Sequence, residues 1–177
     1  MRYARFLIAT ALLAACSAGH AFEPPASLDD DTWVVVDRTV ENQLMDRAAA
    51  ELGSLGLEEP FGAAYEFLHY KPQFFLGVGK GTASEQAIID AELPLFGGEN
   101  GLTEPARTTN ADGVSMLCGP YSHTGVPGTI GTGGLASIAA VCAWSDGATS
   151  GFGIGVAGTS VDDLARLTSE ARAAVVG

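Results

Sequence analysis

The residues of this chain that could do chemistry are three cysteines, three histidines, a Trp144-Ser145-Asp146 run and two glycine-rich motifs. Cys118 and Cys142 lie too far apart for a Cys-x-x-Cys exchange centre and read as a structural staple. Closing a loop of about 25 residues is worth roughly 3 kcal/mol in the chain-entropy model. His20, His69 and His123 each lack a partner at metal-site spacing, so no metal is expected. Asp146, His123 and a serine could be assembled as a hydrolase triad. No Gly-x-Ser-x-Gly elbow accompanies them, and Asp146-Gly147 is explained as a turn.

Gly153-x-Gly155-x-x-Gly158 has the glycine spacing of a dinucleotide loop. It lacks the acidic residue that such a site places about 20 positions on. Gly77-Val78-Gly79-Lys80-Gly81-Thr82 resembles a phosphate loop without its four-residue spacing, and Gly81 follows the lysine where Ser or Thr is needed. The expectation is therefore no catalytic residue, no cofactor and no metal, with Cys118 and Cys142 as a disulfide.

The opening residues, MRYARFLIATALLAACSAGHA, carry Arg2 and Arg5 ahead of an apolar run over 6–15. That run is shorter than the roughly 20 residues a membrane span needs but suits an export signal. Leu13-Ala14-Ala15-Cys16 resembles a lipobox, which makes 1–15 a lipoprotein-type signal and Cys16 the lipidated residue. The alternative is cleavage after Ala21. Either route predicts an extracytoplasmic protein, membrane-anchored through Cys16 or secreted. With Cys16 lipidated, an oxidising compartment leaves Cys118 and Cys142 as one pair.

The formal charge of the 177 residues is −12. Without Arg2 and Arg5, seven basic residues face 21 acidic ones, a balance of −14. That sign excludes nucleic acid as a partner and disfavours attraction to anionic lipid headgroups. Asp29-Asp30-Asp31 lacks the spacing of a calcium loop and reads as solvated. The acidic, proline-containing stretch 16–32 is expected to be an extended tether to a single domain over 33–177.

Those chemistry-bearing residues need elements to hold them. Residues 33–36 read as a strand or the lead-in to a helix. Val40, Leu44, Met45, Ala48, Leu52 and Leu55 recur at helical spacing over 38–55, closed by Gly53 and Gly56. Residues 61–70 and 73–79 read as a hairpin. Ser84 caps a short helix over 85–91 that Pro94 ends. Residues 95–107 read as loop. Strands follow over 114–121, 135–144 and 149–157, with the glycine-rich 125–134 linking the first two. A capping-box-like Ser160-Val161-Asp162-Asp163 starts a helix over 160–174, with Val161, Leu164, Leu167, Ala171 and Ala174 as its stripe and Arg172 in its last turn.

For the hairpin at Asp146, a three-residue loop over 145–147 sets Cys142 opposite Ser150 and Ala140 opposite Phe152. Trp144, Cys142, Ala140, Ile138, Phe152 and Ile154 then share a face. A two-residue Asp-Gly loop would instead put glycines 151, 153 and 155 there. Burial favours the first register, since a one-residue slip exchanges the faces. Val114, Met116 and Cys118 alternate onto one face of the preceding strand.

Met116-x-Cys118-Gly119, then Cys142-Ala143-Trp144-Ser145-Asp146-x-x-Thr149-x-Gly151, then an amphipathic helix holding Arg172, is similar to a group of small exported proteins and lipoproteins of actinobacterial type. The likeness is confined to the C-terminal part of the chain, with looser matches at Ala64-Tyr65 and the helix after Gly81. It implies export, a disulfide and an α+β fold, and it carries no catalytic residue.

The expected fold is α+β: an antiparallel sheet of about five strands, one disulfide, and two main helices on one face. The expected function is a non-catalytic, lipid-anchored extracytoplasmic domain that binds a protein or small molecule. The alternatives are a cell-envelope hydrolase and a purely structural envelope component.

Overall fold

The computed structural model describes residues 22–37, 39–67, 72–98, 101–109, 113–123, 137–156 and 159–176. Cys16, His20, His69 and the 125–134 loop lie outside them, as does the side chain of His123, whose backbone ends a strand.

The fold is α+β with one antiparallel sheet. Its strands are β1 (Ser27–Leu28), β2 (Trp33–Val35), β3 (Glu58–Phe67), β4 (Pro72–Lys80), β5 (Ala106–Thr109), β6 (Ser115–His123), β7 (Ser137–Ser145) and β8 (Thr149–Gly155). They lie in the order β1-β2-β3-β4-β8-β7-β6-β5. The sheet has eight strands rather than about five. The extra ones are short: β1, β2 and β5 are two, three and four residues long, below the length at which alternation becomes visible.

Helix α1 spans Thr39–Ser54, α2 spans Glu85–Glu92 with a 3-10 turn at Leu93–Phe96, and α3 spans Val161–Val176. Leu44, Met45, Ala48 and Leu52 of α1 are buried at the expected spacing, while Val40 is exposed. Gly56, at φ 86°, lets Leu57 N–H reach back to Leu52 O (3.3 Å) and Gly56 N–H to Gly53 O (3.0 Å), closing the helix with a left-handed residue. Ser84 Oγ accepts from Ala87 N–H (3.2 Å) and Ser160 Oγ from Asp163 N–H (3.1 Å), so both expected caps form. Pro94 does not stop the chain's turning but sits inside the 3-10 turn.

The helices do not share a face, as the sequence reading had them. Helices α1 and α2 pack with Ala64, Phe75, Val141, Ala143, Phe152 and Ile154. Helix α3 packs on the other face with Tyr65, Phe74, Leu76, Met116, Cys142 and Trp144. An amphipathic period fixes a helix's buried stripe but not which side of a sheet receives it. On α3, Val175 is buried and Ala174 exposed, the reverse of the expected end of the stripe.

Two-sided cover also reverses the hairpin register. Trp144 pairs with Gly151, Cys142 with Gly153 and Ala140 with Gly155, while Phe152 and Ile154 point to the α1–α2 face. The burial argument assumed one face more apolar than the other. With helices on both faces, large residues are needed on each, and glycines are needed wherever a neighbour comes close. A Cβ on Gly151 would lie 2.6 Å from the Trp144 ring, and one on Gly153 would lie 2.1 Å from Thr168 Oγ1 of α3.

The expected tether is docked from Phe22 onward. Phe22 meets the Phe61 ring edge-on at 5.3 Å, Tyr65 donates to Pro25 O (2.9 Å), and Leu28 is 2 % exposed. Asp29 accepts both guanidinium nitrogens of Arg166 on α3 (2.9 and 3.2 Å). Composition marks this stretch as disorder-prone, but Phe22 packs on Phe61 and Leu28 is buried in the α3-side core.

Candidate functional site: the Asp146 turn and the buried Glu92

Cys118 and Cys142 face each other directly across β6 and β7, with Cα atoms 4.1 Å apart, and form the disulfide. It lies in the α3-side core, with both residues almost wholly buried.

The remaining residues of the Cys-Ala-Trp-Ser-Asp-x-x-Thr run meet around Asp146. The ladder ends at the Ser145–Ser150 pair, and Asp146 N–H reaches Thr149 O (3.1 Å), so the turn proper is Gly147-Ala148. Gly147 takes φ 90° there, a value that favours glycine. Asp146 Oδ1 accepts from the backbone N–H of Ala148 (2.9 Å) and Thr149 (2.7 Å). Its Oδ2 accepts from Thr149 Oγ1 (3.1 Å) and Arg172 Nε (2.8 Å), with Arg172 Nη2 at 2.6 Å. Trp144 Nε1 in turn donates to Thr149 Oγ1 (3.4 Å).

Burial alone would raise the Asp146 pKa. The two backbone donors and then Arg172 outweigh it and hold the carboxyl below its ordinary value. Arg172 therefore does not serve the helix dipole; it bolts α3 to the β7–β8 turn. Every oxygen of Asp146 is committed to scaffold. His123, the other half of the imagined triad, has no described side chain.

The two glycine motifs are strand. Gly77 and Gly79 lie within β4, and Lys80 is salt-bridged to Glu59 and sits 4.9 Å from the Phe22 ring centroid. Gly153 and Gly155 lie within β8; Gly158 is outside the described residues. Among the described residues, no three metal-ligating side chains come together, and no helix is long and apolar enough to cross a membrane.

Sequence reasoning missed Glu92. It is fully buried at the end of α2, and neither carboxyl oxygen has a hydrogen-bond partner among the described residues. Burial first, and the Glu51 carboxylate of α1 second, push its pKa up to about 9. The signal was present: Ile88, Ile89 and Glu92 fall at helical spacing on one face. The other end of α2 is well held. Ala83 N–H donates to Ser150 Oγ (3.0 Å), which donates to Gly81 O (3.0 Å), and Glu85 binds Arg107 of β5 (2.9 and 3.4 Å).

Comparison of the chain with protein-family models, curated proteins and solved structures returns no match.

Proposed function

We propose that this is an extracytoplasmic domain, anchored through lipid on Cys16, that works by binding a protein or small molecule rather than by catalysis. The observation that carries the reading is the buried Cys118–Cys142 disulfide. A stable disulfide belongs to an oxidising compartment, and this one leaves Cys16 as the third cysteine, within a lipobox-like run. The commitment of Asp146 to the turn and to Arg172 favours binding over hydrolysis, because the carboxylate offers no free oxygen to orient a base. The likeness to exported actinobacterial lipoproteins points the same way.

The test is fractionation of the full chain expressed in a bacterium that processes lipoproteins. The parent is expected in the membrane fraction, and Cys16→Ser in the soluble fraction with an unchanged melting temperature. A parent that stays soluble, or a Cys16→Ser variant that stays with membranes, overturns the anchor. Reproducible turnover by the purified protein on a hydrolase panel, lost in Asp146→Ala, overturns the non-catalytic reading.

A further inference from the structure

Glu92 sits where helix meets helix, fully buried and with no hydrogen-bond partner for its carboxyl among the described residues. We propose that the α1–α2 seam is a proton-operated latch: protonated Glu92 lets the C-terminal end of α2 and the 3-10 turn close on α1, and loss of the proton opens them.

The geometry gives the latch a fixed end and a free end. The N-terminal end of α2 is fastened by Ser84, by Ser150 through Gly81 and Ala83, and by the Glu85–Arg107 pair. At the other end, Ile88, Ile89, Leu93 and Phe96 lie in the same apolar core as Leu52 of α1, and the next fastening is the β-bridge at Gly98, beyond the 3-10 turn. Among the described residues no positive charge touches Glu92; Arg47, one turn before Glu51 on α1, is exposed. Of the elements packed on α2, α1 presents Glu51, of the same sign. The 3-10 turn, β7 and β8 carry no charged residue, and β6 contributes the buried Tyr121 phenol, whose own pKa burial raises, and ends at His123, whose side chain lies outside the described residues. An ionised carboxylate there regains hydration only by moving out.

The sign follows from linkage. The closed state holds the proton more tightly than an exposed carboxyl does, so closure is fully favoured below the ordinary Glu value near 4.3. It weakens about tenfold per pH unit above that, up to about pH 9. An envelope protein meets the pH of its surroundings directly, so the latch would report external acidity. The inference does not depend on the lipid anchor.

The experiment is amide hydrogen exchange on the full chain from pH 5.5 to 8.5, corrected for intrinsic rates, for the parent and Glu92→Gln. Protection at the α2 amides of Ile88, Ile89 and Glu92 is expected to fall about 1,000-fold across that range in the parent. It should stay flat in Glu92→Gln, and in the parent the α2 amides should be less protected than the β7 amides at every pH. Equal pH dependence in parent and variant overturns the proposal. So does α2 protection equal to that of β7, which would mean global rather than local opening. Should Glu92→Gln fail to fold, flat α2 protection in the parent alone overturns it.

Discussion

Replacing Gly153 by alanine tests the register of the hairpin and the seating of α3 together. The new Cβ would stand 2.1 Å from Thr168 Oγ1, 3.1 Å from Thr168 Cβ and 2.9 Å from Phe74 Cε2. Both neighbours are fully buried, so neither can swing into solvent. Overpacking of this kind costs about 1–3 kcal/mol. For a chain of this size that lowers the melting temperature by roughly 2–4 °C per kcal/mol, or about 2–12 °C in all. Thr168→Ala should cost about 1 kcal/mol or less, since its hydroxyl has no hydrogen-bond partner among the described residues. Removing that hydroxyl also removes the shortest clash. The double variant should therefore be about 1–2 kcal/mol more stable than the two single effects predict. Urea unfolding of all four proteins measures the coupling. Additivity within about 0.5 kcal/mol would refute the argument, because it would mean that Gly153 does not face α3.

Other outcomes follow from the same contacts. Cys142→Ser should cost roughly 3 kcal/mol by loop entropy, read as a lower melting temperature; no change would remove the disulfide. Asp146→Asn should lose about 1–3 kcal/mol at pH 7 through weakened charge-assisted bonds to Thr149, Ala148 and Arg172. Asp146 titrates below its ordinary value when folded, so its contribution is complete above about pH 4 and vanishes as pH falls through the folded value. The parent should thus show a steeper acid limb than Asp146→Asn, which keeps only the share of lowered carboxyls such as Glu85 beside Arg107, and a stability profile by urea titration decides it. Combined with Glu92, which favours folding at lower pH, the parent's stability should peak in mild acid, near pH 4–5.

Much of the scaffold was legible in the chain. Helices α1 and α3 carry apolar stripes long enough to be unambiguous, and Ser84 and Ser160 mark the starts of α2 and α3 by chemistry that is local. Long strands were found as well, and so was the cysteine pair. What failed was everything that depends on layer order. The register argument used burial as a one-sided criterion, and α3 and α1 bury both sides. Residues 22–32 looked like tether because prolines and aspartates dominate; Leu28 and Trp33, which anchor them, are single residues rather than a pattern. Glu92 was hidden by its type. A glutamate at a helix end is ordinarily solvated, and only the position of α1 over that face makes it otherwise.

The burial of the disulfide beneath α3 has a consequence for biogenesis. Cys118 and Cys142 are 1 % and 0 % exposed, and the helix covering their face is the last element of the described chain. An oxidising enzyme can therefore touch these thiols only while α3 is off the sheet. An enzymatic route to the bond thus requires the cysteines to pair before the helix docks, with the Arg172–Asp146 bond sealing the cover afterwards. A molecule that closes while still reduced would carry two thiols that its own α3 shields from any oxidising enzyme.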